Sequence, residues 1–331
     1  MSKPGPRNLI TDVPGLKVGQ AENAKVRTGT TVILADHPSV AAVAVAGGGP
    51  GTRETDLLEA GALVDAVDAI VLSGGSAYGL GAADGVVAAL GAIGRGYGLT
   101  EQPGVPKTPI VPAAILYDLA NGGDKDWGTA PPYPSLGQAA LANASETFTL
   151  GAAGAGFGAL AGKHAGGVGS ASIVTSDGMT VGALAAVNCF GSVYLPGTDV
   201  FWAWPHEEEG EFGGARPPRD YKADAEDWGE AKLDPKLGQN TTIACIATDV
   251  RLTQSEAKRV AQMALSGFSR AIRPVFAPFD GDAVFVLSTG LQALAAPTAV
   301  TLARLGELGA STLARAIARG VYETAGGTAK S

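Results

Sequence analysis

The chain has 331 residues, 46% hydrophobic and only 17% charged, with 48 glycines and a formal net charge of −8. Disorder would need low hydrophobicity and high net charge, and a nucleic-acid partner would call for a basic footprint, so both are excluded. Met1–Pro6 lacks an apolar signal-peptide core, and no run of about 18 or more apolar, uncharged residues is present, so a cytoplasmic protein with no membrane association is expected.

The charge is unevenly spread. From Thr241 onward the chain carries +3 and before it −11, and the tract from His206 to Asp234 alone holds ten acids and four bases. Cys189 and Cys245 each lie inside apolar runs and read as buried core thiols rather than a disulfide or metal pair.

Residues 8–46 read as strands, with apolar runs at Thr30–Ala35 and Ala41–Ala46. The glycine cluster from Gly47 to Gly51 that follows lacks the later Gly-Lys-Ser/Thr of a phosphate loop. Asp68–Ser73 reads as a buried strand that leads through Gly74-Gly75-Ser76 into an Ala/Gly-rich helix ending near Gly94. Ile110–Leu119 reads as another strand with Tyr117 and Asp118 at its end, 122–134 as a loop, and Ser135–Ala142 as a helix.

Lys163 is a lone amine in a segment nearly free of charge, and burial there would disfavour its charged form. The strands Ala171–Thr175 and Val181–Val187 come next, the second running directly into Asn188. From Pro196 to Gln239 the periodicity disappears. A segment this long, rich in Pro, Gly and acids and carrying Trp202, Trp204 and Trp228, reads as irregular, flexible and exposed, either functional or disordered.

That segment ends at Asn240-Thr241-Thr242, which open an apolar strand. Thr favours pleated surfaces, and an ordinary strand role is the simpler reading. A cut before Thr241 would, however, set a new α-amine beside its hydroxyl, and such an amine titrates at about 7.7–8.0. Threonine activated by its own terminal amine is an established nucleophile. Thr253-Gln254-Ser255-Glu256 is a capping box opening a helix with Ala257, Val260, Ala261, Ala264 and Phe268 on one face. A strand at Ala283–Leu287 and a helix or helix pair through Leu302–Ile317 close a layered α/β chain.

The three histidines, His37, His164 and His206, fit no zinc spacing, and no Gly-x-Ser-x-Gly elbow is present. An amide hydrolase built without histidine needs another base, for which Lys163 and an α-amine at Thr241 are available. It also needs an oxyanion donor, and Asn188 is of a suitable type.

Seven segments, in order from about residue 8 to 290, resemble the DmpA/BapA-type self-cleaving aminopeptidases and the related nylon-oligomer hydrolases. They are Gly47–Asp56, Leu72–Leu80, Val111–Asp118, Gly162-Lys163, Ala186–Asn188, Asn240–Ile243 and Phe279–Phe285. The resemblance implies a four-layer α/β/β/α sandwich of the N-terminal-nucleophile type. It also implies a single hydrolase domain, cleaved between Asn240 and Thr241 into 1–240 and 241–331, with no cofactor or metal and a homo-oligomer, a tetramer, of cleaved protomers. Thr241 would be the nucleophile, Lys163 the lysine that supports its deprotonation, Asn188 the oxyanion donor and Tyr117 an active-site tyrosine. Asp280 and Asp282 would be the acidic pair that positions the nucleophile and its amine.

Thr241, Asp280 and Asp282 look like the nylon-hydrolase branch, whereas the glycine-rich N-terminal motifs look like the general aminopeptidase pattern. The expected substrate is therefore a short peptide or amino-acid amide, with a 6-aminohexanoate oligomer as the alternative. A non-enzymatic α/β binding or assembly protein is the reading from another class.

Overall fold

In the computed structural model, residues 2–98, 102–232 and 240–326 are described. In chain order the elements are β1 (Leu16–Asn23), β2 (Thr28–Val45), β3 (Thr52–Arg53), β4 (Ala66–Ser73), α1 (Ala82–Ala92), β5 (Ala113–Ile115) and α2 (Tyr133–Ala142). They continue with β6 (Leu160–Ala161), β7 (His164–Ala165), β8 (Gly167–Val174), β9 (Thr180–Asn188), β10 (Thr241–Val250), α3 (Gln254–Ala271), β11 (Ala283–Gln292) and α4 (Thr298–Thr324).

The main sheet runs β3-β5-β4-β2-β11-β10-β9-β8, with β1 added to β2. The two apolar runs expected separately at Thr30–Ala35 and Ala41–Ala46 form the single long strand β2. Its first half pairs with β1 and β4 and its second half with β11, and the pairing with β4 shifts register between Leu34 and Ser39. The exposed Asp36-His37-Pro38 step lies at that shift, where Pro lacks a ladder donor and is tolerated.

Side-chain alternation then builds three cores between four layers. Ile33, Ile70 and Leu72 pack in the central core with Leu184, Ile243 and Phe285. The opposite faces of the same strands carry Val32 and Val71 against Val86, Leu90 and Leu136 of α1 and α2. On the other side, Ile246 and Val286 meet Val260, Phe268, Leu313 and Ile317 of α3 and α4. This is the α/β/β/α sandwich. Strands covered on both faces need unbroken apolar runs, which is why β10 and β11 show no polar alternation. Glycine permits the close layering: a Cβ on Gly169 of β8 would lie 1.9 Å from the Ala316 carbonyl of α4.

Several elements differ from expectation in extent. Only Ala113–Ile115 of the run Ile110–Leu119 is a strand, and the last helix is one continuous element rather than a pair. The Thr253 capping box forms as expected, Thr253 Oγ1 accepting from the Glu256 amide. Both cysteines are free and buried, as expected. No helix among the described residues is long and apolar enough to cross a membrane.

The acidic tract requires a correction. It is irregular, but its first part is not an exposed flexible segment. Phe201 and Phe212 are buried and meet edge to face at 5.4 Å. Glu207 accepts the amides of Phe212 and Gly214 at 3.0 and 2.8 Å. Glu211 pairs with Arg315 of α4, whose side chain is 2% exposed and also donates to the Ser172 carbonyl at 2.9 Å. Acids that read as solvated in sequence are consumed as buried acceptors. Residues 233–239, the end of the tract, lie outside the described residues.

The Glu211–Arg315 pair supplies a stability test. Glu211→Gln leaves a buried guanidinium without its counter-charge, which is expected to cost about 3–5 kcal/mol in urea unfolding. A loss under about 1 kcal/mol would mean that the pair behaves as a solvated surface pair.

Candidate active site

The parallel register of β10 and β11, with Ile243 opposite Ala283, continues past both strand ends to an Asn240–Asp280 bridge. Asn240-Thr241-Thr242 therefore runs alongside Asp280-Gly281-Asp282. On its other side β10 pairs antiparallel with β9, which sets Thr241 opposite Asn188. Asn188, Asn240, Thr241, Thr242, Asp280 and Asp282 are all buried polar groups, and Gly281 is buried among them.

Around one peptide bond the contacts are close. The Thr241 hydroxyl donates to the carbonyl of Asn240, and the same carbonyl accepts the Gly281 amide at 3.0 Å. The Thr242 amide donates to Asp282 Oδ1 at 2.6 Å. Asp282 Oδ2 accepts from Phe276 and Asp280 Oδ2 accepts from Ala277 at 3.0 Å. Three polar atoms here are buried without a partner: Asn240 Nδ2, Thr242 Oγ1 and Asp280 Oδ1. Orphaned groups of this kind are costly, and their clustering calls for a functional reason.

Burial pushes both carboxyls above the ordinary range, and the charge of Asp280 raises Asp282 further. Against this, the Ala277 amide and the ammonium of Lys232 lower Asp280. The Cys189 thiol, just beyond Asn188, is pushed up to about 12 by burial and is held as a thiol rather than a reactive thiolate.

Asn188 is locked on the inner side of the site. Its Nδ2 donates to the Tyr117 carbonyl at 3.0 Å, and its Oδ1 accepts the Leu160 amide at 2.9 Å. Tyr117 thus reaches the site through its main chain. Its neighbour Asp118 is buried, accepts from Thr28 at 2.6 Å and Gly75 at 2.8 Å, and is raised by desolvation.

Lys163 is placed differently from expectation. It occupies the turn between β6 and β7, its side chain 45% exposed, with Nζ 3.4 Å from Glu230. The charge-poor surroundings seen in sequence are local only, because the acidic tract returns to supply Glu230. That turn is tied to the site by the Gly162 amide, which donates to Cys189 O at 3.1 Å.

The model of peptidase family S58 matches residues 8–330. The chain belongs to peptidase family S58. This S58 chain is 40% identical over 336 residues to an uncharacterized aminopeptidase of Mycobacterium tuberculosis, covering 95% of this chain and 93% of the relative. It is 32% identical over 294 residues to the 6-aminohexanoate-oligomer endohydrolase of Paenarthrobacter ureafaciens, covering 86% and 76%. Among solved structures, a Burkholderia beta-aminopeptidase superposes with a TM-score of 0.69 at 24% identity, covering 97% of this chain and 88% of that one. The L-aminopeptidase D-Ala-esterase/amidase of Ochrobactrum anthropi, described as a variant of the Ntn hydrolase fold, gives 0.67 at 22%, covering 96% and 86%. These two share the fold. As an S58 peptidase the chain is an amide-bond hydrolase.

Two site residues escaped the sequence reading. Gly281 carries no side chain to single it out within Phe279–Phe285, although its amide meets the Asn240 carbonyl. Lys232 was absorbed into the acidic tract. Its Nζ lies 2.9 Å from Asn240 Oδ1 and 3.4 Å from the Asn188 carbonyl, and desolvation lowers its pKa to about 8. No local pattern marks it: only in the fold, where Ala231 beside it is buried, does the tract return to the core and bring Lys232 with it. A cleft of about 410 Å³ opens here, walled by Phe190, Trp228, Lys232 and Phe279 with Glu226 and Asp227 at its edge. Larger clefts of about 520 and 670 Å³ lie along the tract near Trp202 and Arg273, away from Thr241.

The acid pair predicts a pH dependence. A folded-state pKa raised above the unfolded value near 3.8 makes the folded chain bind the extra protons, so stability falls as pH rises through that window. Asp282→Asn should remove part of this fall, so wild-type stability relative to the variant should decline from about pH 4 toward neutrality. Denaturant titrations at several pH values read this, and a flat difference would show that Asp282 stays ionised. Gly281→Ala would place a Cβ 2.7 Å from Thr241 Oγ1 and 2.9 Å from the Gly49 carbonyl. We expect a loss of about 1–3 kcal/mol in thermal or urea unfolding, and an unchanged midpoint would mean that the turn relaxes freely.

Proposed function

We propose that the chain is a self-cleaving N-terminal-nucleophile amide hydrolase in which Thr241 performs both maturation and turnover. The observation that carries this reading is the arrangement at one peptide bond, where the Thr241 hydroxyl lies against the Asn240 carbonyl and the Gly281 amide polarises that carbonyl from 3.0 Å.

In maturation, Thr241 Oγ adds to the Asn240 carbonyl carbon and loses its proton. The bond to the Thr241 nitrogen breaks, that nitrogen takes up a proton, and an ester between the Asn240 acyl group and Oγ remains. Water then adds to the ester and releases the Asn240 carboxylate and the Thr241 hydroxyl, which now stands beside the α-amine freed in the first step. The two products are residues 1–240 and 241–331. Asp280 Oδ1, buried and unpartnered in the uncleaved chain, is suited to accept from the new ammonium group.

In turnover, the hydroxyl attacks a substrate amide, its proton passing to the α-amine or to Lys163. The α-amine has the better geometric support, because Lys163 is engaged with Glu230. Asn188, opposite Thr241 and fixed by Tyr117 and Leu160, is the candidate oxyanion donor. The acyl-enzyme is hydrolysed by water, so that one difficult step is split into two. The substrates are short peptides or amino-acid amides entering by the cleft at Phe190 and Phe279. A second reading, cleavage of 6-aminohexanoate oligomers, is favoured by Thr241, Asp280 and Asp282 together and by the 32% identity to the oligomer hydrolase.

Intact mass and denaturing electrophoresis test the nucleophile. Wild type should give the masses of 1–240 and 241–331, and Thr241→Ala one full-length mass with turnover reduced at least about a thousandfold. A wild-type chain that stays intact yet hydrolyses amides would falsify the proposal. Aminoacyl-nitroanilides, a β-peptide and a 6-aminohexanoate oligomer, assayed side by side on the cleaved protein, separate the substrate readings.

A further inference from the structure

Lys232 is held in place before its side chain does anything. Its amide donates to the Phe190 carbonyl at 3.0 Å and the preceding Ala231 amide to Trp228 at 3.2 Å. Trp228 stacks edge to face on Phe190 at 5.9 Å, and Phe190 in turn meets Phe279 at 4.9 Å. From this anchored backbone the amine reaches inward, 2.9 Å from Asn240 Oδ1 and 3.4 Å from the Asn188 carbonyl. Asn240 is wholly buried and its Nδ2 has no partner, so the contact from Lys232 is what fixes the Asn240 side chain.

We propose that Lys232 is a positioning residue for self-cleavage, its ammonium clamping the Asn240 side chain to the end of β9 so that the Asn240–Thr241 peptide stays seated between the Thr241 hydroxyl and the Gly281 amide. This rests on Thr241 being the self-cleaving nucleophile and assigns a function to the acidic tract that precedes it. Without the clamp, rotation about the Asn240 side chain and backbone would let the carbonyl leave the Gly281 amide. With it, one cation spans the residue before the cut and the strand opposite Thr241. Two charge-assisted hydrogen bonds are the kind of contact able to hold such a geometry.

The charged form is the active clamp, because a neutral amine keeps two donors but loses the charge assistance that makes both bonds strong. Burial lowers the Lys232 pKa to about 8, while Cys189 and Asp280 act to raise it. The other groups facing it are Asp282, through Asp280 and Cys189, and Glu226 and Asp227 across the cleft. Since Asp280 and Asp282 are displaced upward from the acid side, the amine is the group among these that discharges just above neutrality.

The test follows self-cleavage of full-length chains after pulse-labelled cell-free translation, by denaturing electrophoresis across pH 6 to 10. Lys232→Met should slow conversion about ten- to a hundredfold, while Lys232→Arg, which keeps the charge, should retain most of the rate. Wild type should slow above about pH 8, and Lys232→Arg should lose that alkaline fall. Asn240→Ala covers the case in which Lys232→Met does not fold. It should slow cleavage to a similar extent, and adding Lys232→Met to it should cost little more.

Wild-type rates in Lys232→Met would overturn the proposal. So would equal slowing in Met and Arg variants with an unchanged pH profile, which is the behaviour of a mere tether for the tract. If wild type cleaves, Thr241→Ala does not and Lys232→Met cleaves normally, only the role of Lys232 falls. If wild type never cleaves at any pH, the Thr241 mechanism falls and this inference with it.

Discussion

The site depends on one pairing, the parallel contact of β10 with β11. Because the register holds beyond both strands, each residue from Asn240 to Thr242 is matched by one from Asp280 to Asp282. A shift of one residue would turn Thr241 away from Gly281 and bring the central-core residues Ile243 and Phe285 to the wrong faces. Packing on both sides of these strands therefore enforces the chemistry at their ends. The polar cluster is stable where it is because two hydrophobic cores specify the strands that carry it.

That enforcement allows unfavourable electrostatics. Two carboxyls share a buried turn, an ammonium is drawn into the same region, and three polar atoms have no partner. None of these features favours folding by itself. Together they surround a single peptide bond, in a region where a newly formed amine and carboxylate would find complementary groups. Under the proposed self-cleavage, these are the groups that would receive its products.

Much of this was legible in the sequence where neighbours along the chain decide the outcome. The apolar runs at Asp68–Ser73 and Val181–Val187, the capping box at Thr253 and the helical spacing after it all appear at nearly the expected bounds. So did Thr241, Asn188, Asp280 and Asp282, which β9, β10 and β11 bring together. What could not be read was contact across distance. Pairing with Glu230 removes Lys163 from its apparently uncharged setting, Lys232 looks like one more charge in an acidic tract, and Glu211 looks solvated although it faces Arg315. For Lys163 and Glu211 the deciding partner is remote in the chain, and for Lys232 it is the remote Asn188 together with Asn240 that turns the amine inward, so no local pattern encodes any of the three.

The strand order carries a consequence of its own. β10 and β11 lie side by side in the middle of the sheet, flanked by β2 on one edge and β9 on the other. A cut before Thr241 would thus not release a module. It would leave the larger fragment with a gap two strands wide at its centre, and the smaller with two strand edges and two helices lacking most of their bed. Fragments so formed would be interleaved rather than adjacent, and neither would keep the native sheet alone. For such a protein unfolding becomes a dissociation, and regaining the fold from separated pieces would be a second-order process governed by their concentration.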